Sequence, residues 1–179
     1  MYLYHYYDKN DGAFKNLSDL SVNAAKEILA RIKNERPSAQ ASARQDNYIE
    51  TRLEYEDMAR RLFSEKGGKV SRKAPHYMVI EACPWLYSWF ENPAYIKIPI
   101  NEFDLSTLSF TYGDMHPTFS PRVNDGKEYR KQLYMYNDIL KLIDKYGLPQ
   151  EWNSDGIYGP ERYIEVQVWS DETISRFLK

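Results

Sequence analysis

Glu165 and Gln167 stand two residues apart in the run Arg162-Tyr-Ile-Glu-Val-Gln-Val-Trp169. In a strand, alternation sends Tyr163, Glu165, Gln167 and Trp169 to one face and Ile164, Val166 and Val168 to the other. A carboxylate and an amide between two aromatics make either a solvated sheet face or the floor of a polar cleft. In a cleft, the carboxylate can stabilise positive charge that develops on a reacting group. His5 shares a strand face with Leu3 and Tyr7, where an imidazole is either a hydrogen-bonded part of the interior or a ligand-binding group. Asp114-Met-His116 sets two metal-ligand types one residue apart, and His5 or His76 would make a third. No ligand cluster supports that set. The expectation is therefore no metal, with Asp114 accepting backbone N–H bonds and His116 packing against Pro117. Cys83, the only cysteine, ends an apolar strand beside Pro84, the setting of an inert buried thiol rather than a nucleophile. Gly67-Gly68-Lys69 lacks the spacing of a phosphate-binding loop and reads as a helix stop.

Two of these segments resemble parts of the ADP-ribosyltransferase fold in its H-Y-E-type branches. In those proteins an N-terminal Leu-Tyr-His strand precedes a loop and a helix ending Ile-Leu. Here Leu3-Tyr4-His5 precedes Ala25-Lys-Glu-Ile28-Leu29. A late strand of that family carries the catalytic Glu among valines, as does Ile164-Glu165-Val166-Gln167-Val168. The resemblance implies an NAD-binding domain that cleaves the nicotinamide–ribose bond. His5 would bond the adenosine ribose and Glu165 the nicotinamide ribose, stabilising an oxocarbenium-like transition state as nicotinamide leaves. It also implies that Tyr77 or Tyr112 stacks the nicotinamide ring, with Ser109 and Thr111 beside the cofactor on a central strand. This reading requires His5 and Glu165 to face one cleft, and a placement on opposite sheet faces counts against it.

The elements that must position these residues follow from local pattern. Residues 2–7 form a first strand, closed by Asp8-Lys-Asn-Asp-Gly12. Ser21 caps a helix over 22–35 with the apolar stripe Ala25, Ile28, Leu29 and Ile32, and Pro37-Ser-Ala-Gln-Ala-Ser-Ala43 is the natural mobile connector. A long helix over 46–66 runs from Asp46 to Gly67-Gly68. On it Arg52, Glu56 and Arg60 repeat at four-residue spacing, which suits a salt-bridged exposed face. Further strands are expected at 76–83, 94–100, 108–112 and 162–169, the second an edge strand because of Pro99. Residues 84–90 make a short aromatic helical turn. A third main helix is expected over 127–146, with the stripe Tyr129, Leu133, Tyr136, Leu140 and Ile143. The stretches 113–126 and 150–161 are long irregular loops of the kind that carry function, and Ser170 or Asp171 caps a last helix. The order predicts one α+β domain over 1–179, with a mixed or antiparallel sheet of about five strands and three main helices.

The chain has 179 residues with 24 Lys and Arg against 26 Asp and Glu, a net charge of −2, which argues against a broad nucleic-acid surface. A lone cysteine, no apolar run of about 20 residues and no signal-like start point to a cytoplasmic, soluble protein without membrane attachment. Aromatic residues make up 15 %, including 16 Tyr. That abundance leaves open a second class, a non-catalytic binding or assembly module with Tyr and Trp as contact anchors, and permits a homo-oligomer. A metal-dependent hydrolase on Asp114 and His116 is the third class.

Overall fold

The computed structural model describes residues 1–178, which form an α+β fold around a five-stranded antiparallel sheet. In chain order the strands are β1 (Tyr2–Asp8), β2 (His76–Ile80), β3 (Pro93–Pro99), β4 (Leu108–Thr111) and β5 (Glu165–Val168). Their spatial order is β3-β1-β2-β5-β4. β3 and β4 are thus the edges, so Ser109 and Thr111 lie on an edge strand and not on the expected central one.

One face of the sheet is apolar apart from His5 and His76. Leu3, Met78, Ile80, Ile98, Leu108, Phe110, Val166 and Val168 pack there with Phe14 and Phe103. Ile139 and Leu142 of α5 (Tyr136–Tyr146) and Ile174 of α7 (Glu172–Phe177) close it over. The other face carries polar and aromatic residues and is covered by α2 (Tyr48–Glu65) and α4 (Met115–Phe119). There Tyr55, Ala59 and Phe63 of α2 pack with Met115, Phe119, Leu133 and Trp169. α1 (Val22–Glu35) starts at Ser21, whose hydroxyl accepts the Ala24 N–H at 3.3 Å, and lays Ala25 and Leu29 against Ile49 of α2. The connector 37–43 is not loose: Gln40–Ala43 form a 3-10 turn, with the Ser42 hydroxyl on the Arg36 carbonyl at 2.6 Å. Two short helices, α3 (Pro84–Tyr87) and α6 (Pro149–Trp152), complete the set.

Two expectations are corrected. The stretch 127–146 is helical only from Tyr136. Lys131 sits in the left-handed region at φ 57 with its N–H on the Thr118 carbonyl. Tyr134 exchanges both backbone hydrogen bonds with Phe110 (2.8 and 3.0 Å), so 129–135 serves the sheet edge instead of a helix. The loop 113–126 contains α4, nucleated by Asp114, whose carboxylate accepts the His116 N–H at 2.6 Å. The start of 113–126 thereby packs beneath α2. Its far end is tied to the 150–161 loop through Glu161, which is fully buried and bonded by Lys127 at 2.8 Å and by Arg130. Among the described residues, no helix is long and apolar enough to cross a membrane.

Candidate functional site

β1 and β2 share only two residue pairs, Leu3↔Ile80 and Tyr4↔Val79, whereas β1 and β3 share seven. In register, His5 would next face Met78, and the next hydrogen-bonded pair would be Tyr6 and Tyr77. In its place the His5 ring reaches across, its Nδ1–H donating to the Tyr77 carbonyl at 2.8 Å. Its Nε2 accepts the Phe14 N–H, also at 2.8 Å, which fixes the Nδ1–H tautomer. Phe14 stacks on the imidazole with ring centres 3.9 Å apart and holds a left-handed backbone at φ 55, unusual outside glycine. Burial lowers the His5 pKa to about 4, against a smaller opposing pull from the Tyr77 carbonyl.

Beyond this opened seam lies a cavity of about 270 Å³ on the polar face, lined by Tyr4, Tyr6, Tyr77, Tyr163 and Glu165 of the sheet region. Tyr48 and Arg52 from α2, Trp89, Arg44, Asp114 and His116 also line it, as do Asp8, Asp11 and Lys15. His5 borders the same cavity, although alternation places it with Leu3 on the face opposite Glu165. Both border one space only because the seam is open; their opposite faces count against a site in which His5 and Glu165 hold one ligand together. Neither ring nitrogen of His5 is free there, so its contribution is to hold the Phe14 loop and the Tyr77 strand.

Glu165 sits on the floor. Of the two readings of its strand face, solvated surface and polar cleft, the second holds: Glu165 is 7 % exposed, and Tyr163, Gln167 and Trp169 are buried beside it. A directed run of hydrogen bonds converges on it. The Trp169 indole N–H donates to the Ser109 hydroxyl (2.8 Å), and that hydroxyl donates to the Gln167 carbonyl oxygen (2.8 Å). The Gln167 amide then donates to Glu165 Oε1 (3.0 Å) and to Thr111 (3.2 Å), whose own hydroxyl donates to the Gly113 carbonyl. Ser109 and Thr111 therefore stand outside the cavity and reach Glu165 only through Gln167. Desolvation, with the Asp114 carboxylate nearby, pushes the Glu165 carboxyl well above the usual range. The Gln167 amide, Arg52 and the Met115 N–H pull weakly the other way. Asp114 also accepts the Tyr163 hydroxyl at 2.8 Å, so two carboxyls share one aromatic chamber.

The remaining expected residues divide. Tyr77 lines the cavity, its hydroxyl on Glu56 at 2.5 Å and one ring face covered by the Arg52 guanidinium at 4.6 Å. Tyr112 is fully buried elsewhere, donating to the Gly147 carbonyl, and does not reach the cavity. Cys83 is buried, with its thiol pushed up by burial. Among the described residues no three His, Cys, Asp or Glu converge as a metal-ligand set.

The Arg52–Glu56 pair, expected on an exposed face, is instead turned toward the sheet. Glu56 Oε1 accepts from Ser18 (2.7 Å), Arg52 (2.9 Å) and Tyr77. A Glu four residues after an Arg looks the same in sequence whether it faces water or a core. Arg44, Tyr48 and Trp89 were not expected at the site. The Trp89 indole nitrogen and His116 Nε2 are buried there with no partner among the described residues. Compared with known proteins, the chain matches no family model, no curated protein and no solved structure.

Proposed function

We propose that this cavity receives the nicotinamide–ribose half of NAD and that the protein cleaves the bond between them, as an ADP-ribosyltransferase-like domain. The observation that carries this reading is the pairing of Glu165 and Asp114 in a chamber walled by Tyr4, Tyr6, Tyr77, Tyr163 and Trp89. Carboxyls among aromatic faces suit a planar cation, because ring faces and carboxylates both favour positive charge. The pyridinium ring of NAD is such a cation, and its approach favours the ionised Glu165 carboxylate, whose proton is released to water. In the step itself the C1′–N bond breaks and its electron pair leaves on the nitrogen as neutral nicotinamide. The oxocarbenium at C1′ then lies against the Glu165 carboxylate until an acceptor oxygen or water attacks and releases its proton. Gln167, fixed by Ser109 and Trp169, aims an N–H at Glu165 and so orients it.

Calorimetric titration with NAD, paired with an assay of released nicotinamide, tests the reading. Wild type is expected to bind saturably. Glu165→Gln is expected to lower the release rate by at least about 100-fold, the loss seen when one charge-stabilising group is removed. Absence of binding at millimolar NAD ends the proposal.

A second reading rests on a different observation. Ile157 and Tyr158 are 70 % and 65 % exposed on the 150–161 loop, next to Trp152, whose ring lies 6.4 Å from that of Tyr158. These are contact anchors for a partner or a second copy. If Ile157→Asp dissociates an oligomer seen in sedimentation, that surface is an interface; a monomeric wild type at all concentrations argues against self-association.

A further inference from the structure

A second, larger hollow of about 860 Å³ adjoins the first. Arg44, Tyr48 and His116 line both. Its cationic lining is Arg44, Arg122 and Lys131, against one acid, Glu54. None of the three cations is paired with a carboxylate among the described residues. In a chain of net charge −2, where most arginines lining the core are neutralised, this is a local positive excess. Arg44 is held without any ion pair. Its guanidinium lies 4.8 Å from the Tyr48 ring centre and 5.5 Å from that of Trp89, so its N–H groups stay available at the partition. Its charge is felt across that partition, where it helps burial to depress the His116 imidazole. Tyr48, Tyr55 and Phe119 give the same hollow an aromatic wall.

We propose that this second hollow is a phosphate-binding subsite that takes a nucleoside diphosphate. Its phosphates lie at Arg44, Arg122 and Lys131, where planar guanidinium donors match phosphate oxygens, and its base lies against Tyr48, Tyr55 and Phe119. The charge argument stands by itself. The further step, that the diphosphate is the ADP half of the same NAD molecule, rests on the reading given under Proposed function. Volume favours it: about 270 Å³ falls below the roughly 300–1,000 Å³ of pockets that enclose a drug-sized ligand, so the first cavity takes one half of a dinucleotide and not the whole. Arg44, at the wall of both, then bridges the halves at the pyrophosphate.

Calorimetry with ADP, adenosine and NAD separates these claims. The tested proteins are wild type, Arg44→Gln, the double variant Arg122→Gln/Lys131→Gln, and Glu165→Gln. Binding of ADP is expected to exceed that of adenosine by at least about tenfold, and to weaken about tenfold in Arg44→Gln and in the double variant. Glu165→Gln is expected to leave ADP affinity within about twofold. Equal affinity for ADP and adenosine, indifference to all three cations, or no heat with millimolar ADP overturns the subsite. If NAD displaces ADP and is weakened by both Arg44→Gln and Glu165→Gln, one dinucleotide spans the two cavities. If ADP binds as expected but NAD does not displace it, the subsite holds a separate phosphorylated molecule and the NAD reading falls alone. Nicotinamide release from NAD without ADP binding has the reverse meaning.

Discussion

At Glu165 two requirements compete. Burial beside Asp114 favours the neutral acid, while the charge stabilisation proposed for it needs the anion. The consequence for folding has a definite sign. A carboxyl whose folded pKa lies above its unfolded value binds more protons folded than unfolded, so its contribution falls as pH rises from about 4.5 toward the folded pKa. Glu165→Gln keeps the shape and the neutral state, and removes that loss. The variant is expected to melt within about 2 °C of wild type at pH 5 and above it at pH 8, the gap widening with pH. Thermal melts across that range check it. A variant less stable than wild type at pH 8 would show that the ionised carboxylate holds the chamber together.

At the scale of elements, α5 shows how local pattern and tertiary pairing divide the chain. Its buried residues are Ile139 and Leu142, while Leu140 of the expected stripe is half-buried. Ile139→Ala is therefore expected to cost roughly 2–5 kcal/mol in urea unfolding, and Leu140→Ala clearly less. The reverse order would mean that the helix presents its other face. The sequence pattern misplaces this phase because it extends the helix back through Tyr129 and Leu133. Both are buried, but Tyr129 against Tyr112 and Leu133 in the cluster under α2, because Tyr134 pairs with Phe110 across 24 residues of chain. No local rule encodes such a partner. β1, α1 and the caps were legible for the opposite reason, since alternation, helical spacing and Ser21 act within a few residues. Within the site, Glu165 was legible from a polar residue inside a strand-forming run, whereas Tyr77 was named only through the resemblance, which offered the buried Tyr112 equally. Arg44 was not: it sits after a run of small residues with no periodicity, and only the turn at Gln40–Ala43 brings it between Tyr48 and Trp89.

Across the whole molecule the three histidines act together. Burial depresses His5 to about 4 and also lowers His76 and His116. A depressed histidine is neutral when folded and takes up a proton on unfolding, so its stabilisation is complete above about pH 6.5 and is lost as pH falls toward the folded pKa. Each contributes a slope of at most about 1.4 kcal/mol per pH unit. Below about pH 6.5 the three oppose the contrary slope of Glu165, and His5 goes on doing so down to about 4. Urea midpoints are expected to fall steadily as pH drops from 7 to 5; a flat profile would show that these imidazoles titrate normally in the fold. Of the three, His5 has a further significance. Where β1 parts from β2, the sheet gains two interior borders whose unpaired N–H and C=O groups invite any extended segment, including β1 of another copy. The imidazole occupies the Tyr77 carbonyl, and the Phe14 loop it holds stands across the gap. The opening is thereby kept from becoming a seed for strand exchange and aggregation.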